Sequence, residues 1–394
     1  MSRYRLYPTP AQERILREHC AQARFVWNIA VEQHSWWRPG RKNAPGYLAQ
    51  CRQLTEARAE YEWLRAGSQM IQQQALRDFS QAVAYCVSGT HGRPTWRKAG
   101  KDEGFRVVAL KPTDIRRANR SIAYVRIPKA GWVRFRLSRP VSRSAKSFRV
   151  TLDRVGRWHI AFAVIPPPIP APGNGLAVGV DRGIKVSAAL STGELLTVGK
   201  LSPARQRRLL RLQRSLARCQ RGSKRRTRVK RDIAKLRSRQ ADMRKDWCEK
   251  VTTHLAVSFD LIRVEALDVR AMTRSARGTA IEPGRGVAQK AALNRGILEN
   301  SWGMFVTRLD QKAPGRVERV HPAYTSQRCS ACGTVDAKAR QSQAVFSCPA
   351  CGYACNADVN AARNIAVGRT VTARGGVGIT QPANREPQPA LLSI

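Results

Sequence analysis

Two Cys-x-x-Cys knuckles fifteen residues apart, Cys329-Ser-Ala-Cys332 and Cys348-Pro-Ala-Cys351, constrain the fold of this chain more than any other feature. A two-residue spacer lets one tight turn present two sulfurs to a single ion, so four thiols paired this way suit one tetrahedral, structural Zn²⁺. Gly333 and Gly352 each follow a second cysteine, where the knuckle calls for a residue at ease with positive φ. Buried free cysteines are the plain alternative. The segment Asn356-Ala-Asp358 follows the second knuckle and opens a helical pattern, placing a carboxylate directly behind the expected zinc site. Cys355 stands close enough to compete as a ligand.

The 394 residues carry 71 Lys+Arg against 27 Asp+Glu, a formal charge of +44. A monomer so charged repels itself unless a polyanion binds it. Nucleic acid is the obvious polyanion, with steeply salt-dependent affinity. A membrane surface is the rival. However, no apolar run is long enough to span, and the opening Met1-Ser-Arg-Tyr-Arg-Leu does not read as a signal peptide. The ten cysteines beyond and within the knuckles show no disulfide framework, which points to a reducing, cytoplasmic setting.

Chain length allows two to four domains. Residues 1–8 read as a strand, after which Thr9 caps a helix and Pro10 suits its first turn. Helical patterning continues to about 91, with segments at 12–37, 47–60 and 69–87. Trp36 and Trp37 are read as core or interface, ahead of a basic Pro/Gly turn at 38–42. From Gly92 the period falls to two, with strands at 105–110, 122–127, 132–137, 147–152 and 158–164. Several alternate apolar residues with Arg, as expected of a small β-barrel with one wet, basic face. A Pro-rich run from Pro166 to Pro172 marks a boundary. Strands at 176–181, 186–191, 194–198 and 261–265 follow, with an arginine-loaded helical stretch at 202–258 broken near Gly222-Ser223. Residues 274–288 read as a mobile loop, with a helix near 296–310 and a strand at 316–320 beyond it.

Asp181 and Glu265 each end an apolar strand, and Asp358 starts a helix. If the fold brings those ends together, the acids repel unless divalent cations hold them. Oxygen-only ligands favour Mg²⁺ or Mn²⁺ over Zn²⁺. Two such ions can drive phosphodiester hydrolysis. Taken singly, each acid has an ordinary reading as turn former, surface charge or helix N-terminal charge. Asp260 and Asp268 compete with Glu265 on spacing. The order strand-Asp, two strands, long insertion, strand-Glu, helix, late Asp is that of the RNase H-like fold.

The segments Gly179-Val-Asp181-Arg-Gly183, Ile262-Arg-Val-Glu265-Ala-Leu267, Thr325-Ser-Gln-Arg-Cys329-Ser-Ala-Cys332-Gly333 and Asn356-Ala-Asp358-Val-Asn-Ala-Ala-Arg-Asn364 resemble the RuvC and zinc-ribbon motifs of the TnpB family. These are insertion-sequence-encoded, RNA-guided nucleases akin to compact type V CRISPR effectors, here of actinobacterial type. The match is dense over 174–367 and looser over 1–165, where Gly92-Arg-Pro-Thr-Trp96-Arg-Lys98 fits the junction from helices to barrel.

The resemblance implies a multidomain α+β chain. Its first wedge β-barrel strand lies at 1–8, a helical recognition domain at 9–91, and the rest of the barrel at 92–165. A linker at 166–173 leads to a RuvC nuclease domain at 174–321, a zinc ribbon at 322–355, a last RuvC segment at 356–367 and a disordered tail at 368–394. It further implies that Asp181, Glu265 and Asp358 bind two Mg²⁺ and that Cys329, Cys332, Cys348 and Cys351 bind one Zn²⁺. Residues 274–288 would form a lid. Gln73, Gln74 and Arg77 would take part in reading a flanking DNA motif, as Gln and Arg can. The partners implied are a guide RNA and double-stranded target DNA in a bacterial cytoplasm, and no membrane. Two departures stand out: Arg182 replaces an apolar residue usual after the first Asp, and Tyr353-Ala-Cys355-Asn356 lacks the charged residues common before the last one. The alternatives are a catalytically silent RNA-guided repressor and a transposase that needs no RNA.

Overall fold

The structure, a computed structural model, describes residues 2–36 and 44–368. Trp37, the basic turn at 38–42 and the tail from 369 onward lie outside the described residues. The chain divides into two compact units. The first is Met1–Pro166 with Gln220–Lys235, and the second is Pro167–Cys219 with Leu236–Ile394.

The first unit opens with β1 (Ser2–Tyr7). Thr9 then starts α1 (Pro10–Ser35) through a capping box: its hydroxyl accepts from the Gln12 N–H at 3.3 Å, and Gln12 Oε1 accepts from the Thr9 N–H at 3.0 Å. Leu16, Cys20, Ala23, Trp27 and Ala30 recur at helical spacing and form the buried face of α1. Helices α2 (Tyr47–Glu60), α3 (Glu62–Ala66) and α4 (Gln69–Val87) complete the helical part. The short α3 is not evident from sequence periodicity. Trp36 is 62% exposed, so it is not core; it closes α1 with its indole N–H on Glu32.

Strands β2 (Gly104–Val108), β3 (Ile115–Arg117), β4 (Ile122–Ile127), β5 (Gly131–Arg136), β6 (Ser147–Leu152) and β7 (Trp158–Phe162) join β1 in one antiparallel sheet. Its order is β2-β6-β7-β1-β5-β4-β3. Strand β1 sits in the middle, pairing with β7 through Ser2–Arg5 and with β5 through Leu6 and Tyr7. The chain therefore leaves the sheet for its four helices and returns to flank its own first strand. Tyr4, Phe135, Phe148 and Phe162 pack in edge-on and tilted pairs at the centre of the core. Strands β2 and β3 remain edges, so among the described residues no ladder closes the expected barrel. The three residues of β3 and the connector at 109–114 offer too little extended backbone to do so.

In the second unit, β8 (Ala177–Asp181), β9 (Ala188–Leu190), β10 (Leu195–Leu196), β11 (Leu261–Glu265) and β12 (Val317–Val320) form a sheet of order β10-β9-β8-β11-β12. The pairs β8–β11 and β11–β12 are parallel, and the others antiparallel. Parallel neighbours require crossovers. Helices α5 (Pro203–Arg218) and α6 (Lys224–Ser258) supply the first, with the break falling at Gly222 as expected. Helices α7 (Val269–Met272), α8 (Val287–Glu299) and α9 (Trp302–Lys312) supply the second. The helix expected near 296–310 is thus two helices, broken where Ser301 takes a left-handed φ of 57°.

The loop at 274–288 closes on itself. Gly278 bridges to Pro283, and the Gly284 N–H donates to the Arg277 carbonyl. Strands β13 (Val345–Ser347) and β14 (Ala354–Asn356) pair in the cysteine region, and α10 (Ala357–Val367) follows.

Val178, Val180, Ile262 and Val264 face a core shared with Leu255, Phe305 and Leu309. Gly179, between two of those valines, points the other way, and there α10 presses onto β8. A Cβ at position 179 would lie 2.0 Å from the Ala362 carbonyl oxygen and 2.4 Å from the Ala366 nitrogen. Backbone cannot give way cheaply at that distance. Gly179→Ala is therefore expected to destabilise this unit by about 1–3 kcal/mol or more. Thermal melting monitored by a tryptophan signal checks this; an unchanged melting temperature would mean that α10 can slide without penalty.

Candidate active site

The cysteine region consists of two knuckles of the same construction. Gly333 N–H donates to the Cys329 carbonyl and Gly352 N–H to the Cys348 carbonyl, with φ of 77° and 72° at the two glycines. The sulfurs of Cys329, Cys332, Cys348 and Cys351 all lie within 4.8 Å of one another, the only such group of possible metal ligands among the described residues. Cys329 and Cys351 approach to 3.8 Å, and Cys332 and Cys348 to 3.6 Å. Sulfurs about 2.3 Å from a tetrahedral zinc stand about 3.8 Å apart. The donor set and its spacing therefore fit Zn²⁺. Cys355 is not in the group; its thiol turns to the Asn356 carbonyl.

Two asparagines of α10, Asn360 and Asn364, tie it to this region through four side-chain bonds. Asn360 is fully buried; its Oδ1 accepts from the Ser330 N–H at 2.9 Å, and its Nδ2 donates to the Arg328 carbonyl at 2.7 Å. Asn364 Nδ2 donates to the carbonyls of Thr325 and Arg328, at 2.9 and 2.7 Å. Asn356 caps α10, accepting from the N–H groups of Asp358 and Val359. Asp358 thus sits in the first turn of a helix whose one side grips the knuckle and whose other side meets β8.

Asp181 ends β8 and Glu265 ends the neighbouring parallel β11. The register pairs Val180 with Val264, so the two acids come next, side by side. Asp181 is half-buried, and its carboxyl is pushed up to about 8, first by desolvation and then by the charges of Glu265 and Asp358. Burial also raises Glu265, against the pull of the Thr325 hydroxyl, Arg182 and Arg340. The three acids are electrostatic neighbours, although they stand further apart than the four thiols. Each of two has its own partner: Thr325 Oγ1 donates to Glu265 Oε1 at 2.8 Å, and Arg340 donates to Asp358 Oδ1 at 3.0 Å. An anion-rich, oxygen-only cluster that keeps one carboxyl near 8 suits hard divalent cations.

Arg182 is 5% exposed and donates to the Glu265 main-chain oxygen at 2.5 Å, while its buried Nε has no partner. The competing acids are structural. Asp268 caps α7, and Asp260 receives the N–H groups of Gly173 and Gly175. Sequence reasoning missed Arg340, which sits in the ribbon at no spacing that suggests a role. Thr325 lies within a quoted motif, but nothing in the sequence links its hydroxyl to Glu265. Gln73, Gln74 and Arg77 lie on α4 of the first unit. The glutamines are half-buried, and Arg77 is exposed with its guanidinium 5.6 Å from the Tyr47 ring centre.

Residues 302–365 match a family model described as "Cas12f1-like, TNB domain", residues 159–276 one described as "Probable transposase" of the OrfB_IS605 type, and residues 2–42 its "Helix-turn-helix domain". In full-length comparison the chain is 34% identical to "Putative RNA-guided DNA endonuclease InsQ" of Escherichia coli K12, over 98% of this chain and 96% of that protein. It is 29% identical to a "Putative RNA-guided DNA endonuclease" of Streptomyces pristinaespiralis, over 96% and 91%. Its fold resembles that of Cas12f1 in a complex with sgRNA and target DNA, with a TM-score of 0.56 at 16% identity, covering 91% of this chain and 83% of that one. Among the described residues, no helix is long and apolar enough to cross a membrane. With 34% identity along nearly its whole length, the chain belongs to the TnpB family of OrfB_IS605-type proteins.

Proposed function

We propose that this protein is an RNA-guided DNA endonuclease whose single hydrolytic site consists of Asp181, Glu265 and Asp358. The carrying observation is that three acids far apart in sequence become electrostatic neighbours at the end of two parallel strands and the start of α10. The second unit is read as an RNase H-like RuvC domain bearing a zinc ribbon. The first unit is read as a wedge sheet with an inserted helical recognition domain. The names of the relatives supply the RNA-guided part of the reading, and the charge of +44 agrees with two nucleic-acid partners. Guide pairing would then read sequence while the protein reads a flanking motif and duplex shape, with Gln73, Gln74 and Arg77 as candidates for the former.

Two Mg²⁺ ions bound by the acids would activate a water and stabilise the leaving oxygen. The chain's own groups prepare that site. Thr325 fixes one oxygen of Glu265 and leaves the other free. Arg182 donates to the Glu265 main-chain oxygen, so this acid is held at both ends. Arg340 remains partly exposed and holds Asp358; on entry of a phosphodiester the same guanidinium can face the developing negative charge. The zinc ribbon's part is positional, because its arginine and its grip on α10 both bear on Asp358.

Asp181→Asn, purified with its RNA, is expected to bind a matched target as wild type does and to lose cleavage by about 1000-fold or more. Without divalent cations the same variant should melt at or above the wild-type temperature, since one repelling charge is gone. Equal cutting of a matched target by both proteins would sink the assignment. Arg340→Ala should retain binding and lose about 100-fold in single-turnover cleavage. Unchanged turnover would reduce Arg340 to a surface ion pair. For Cys348→Ser, metal analysis should find one Zn²⁺ fewer per chain, together with protease sensitivity near 329–356. Full zinc content would refute the ligand set. Cleavage that survives ribonuclease treatment would favour an RNA-independent transposase.

A further inference from the structure

The connector after β2, the edge strand β3 and the segment 137–145 that joins β5 to β6 line a cavity of about 890 Å³. Its floor is apolar: Leu110, Ala123 and Ala145 are buried, and Leu137 is half-buried at the end of β5. Its rim is cationic, formed by Lys111, Arg117, Arg120, Arg139 and Arg143, and no carboxylate lines it. A track for a phosphate backbone needs cations but no apolar recess. An apolar ligand needs the recess but not five cations around its mouth. A nucleotide needs both, because its base is flat and poorly hydrated while its phosphates are anionic.

We propose that this cavity seats an unpaired, splayed-out nucleotide of single-stranded RNA, with the base on the apolar floor and the flanking phosphates on Arg120 and Arg143. The inference rests on the RNA-guided reading above and deepens it. Part of the rim is preset. Arg117 Nε donates to the Asn119 carbonyl at 3.2 Å, and the Arg139 guanidinium lies 5.1 Å from the Tyr4 ring centre. Tyr4 donates its hydroxyl to the Pro140 carbonyl at 3.1 Å, anchoring the segment that bears Arg139 and Arg143. Asn119 Oδ1 accepts from the N–H groups of Ser121 and Ile122, which fixes the turn carrying Arg120. Arg120 and Arg143 themselves are exposed. Single-stranded RNA loops offer bases already free to enter such a recess, stacked on guanidinium planes. A paired DNA base would first have to be flipped, at a cost of about a few kcal/mol.

The test uses the full chain and the RNA that copurifies with it. Three variants are compared with wild type for RNA affinity at fixed salt: Arg120→Glu/Arg143→Glu, Val141→Trp (which fills the cavity from a loop), and Arg154→Glu, an exposed control away from it. The first two are expected to lose 10-fold or more in affinity and the control clearly less. Thermal melting confirms that each variant is folded. In parallel, 4-thiouridine placed in the RNA and, in a separate sample, 4-thiothymidine placed in the target DNA are photocrosslinked and the attachments mapped by mass spectrometry. A crosslink from a nucleotide that is unpaired in the free RNA to residues 110–145 supports the proposal. Wild-type affinity in Val141→Trp, an equal loss in the Arg154→Glu control, or a crosslink at the cavity from target DNA instead of RNA would overturn it. Failure of the wild-type protein to bind RNA at all would overturn the RNA-guided reading itself, a result distinct from any of these.

Discussion

Two buried asparagines on α10 hold the second unit's chemistry in place. Asn360 and Asn364 direct their amides at the carbonyls of Thr325 and Arg328 and at the Ser330 N–H, all in or beside the first cysteine knuckle. Backbone groups in a zinc knuckle curl around the sulfurs and cannot satisfy one another as a helix or ladder would. Left buried and unpaired, each would cost about 1–3 kcal/mol. The asparagines meet that need from a helix whose opposite side is pressed against Gly179 of β8. Ribbon, helix and sheet are thereby locked to one another through about two turns of α10, and Asp358 rides on its first turn.

The same lock explains why the ribbon contributes to the acid cluster without any cysteine touching it. Thr325 lies four residues before Cys329, accepts the Asn364 amide with its carbonyl, and gives its hydroxyl to Glu265. Arg340 lies between the knuckles and reaches Asp358. Two of the three acids are thus contacted by residues whose position depends on the thiols. Loss of the metal that the sulfurs suit would loosen Thr325 and Arg340 together, although each sits at a different point on the ribbon.

Much of this arrangement was legible in the sequence, because the informative residues obey local rules. The helices 47–60 and 69–87 and the strands 122–127, 147–152 and 261–265 agree with periodicity to the residue. The knuckle glycines follow from a local requirement for positive φ. What was not legible depended on distant partners. The Arg340 pair spans a hairpin, and nothing near Arg340 in sequence distinguishes it from dozens of other arginines. The break at Ser301 was hidden because Leu298, Trp302, Phe305 and Leu309 keep a helical period across it, although Gly, Asn and Ser around it are poor helix formers. The open sheet edge was hidden because alternation reports which face a strand buries and is silent on whether its neighbour is present.

The charge balance of the site runs against that of the whole molecule. A chain with a surplus of 44 cations sets Asp181 and Glu265, both half-buried, beside each other, and among the described residues Arg182 is the only arginine or lysine more than nine-tenths buried. Its position beside the strand ends is fixed by its bond to the Glu265 carbonyl, so it offsets the acids without pairing with either carboxylate, and its Nε is left without a partner. An arginine that paired directly would compete with a metal for the same oxygens. One that binds the backbone instead lowers the repulsion between the acids and leaves their lone pairs free. Arg340 differs in kind: it does take a carboxylate oxygen, but from a partly exposed position on the ribbon from which it can be displaced. The site therefore has one cation that stays and one that can be exchanged, which is the arrangement a cluster of acids needs if it is to persist before its ions and substrate arrive and still accept them.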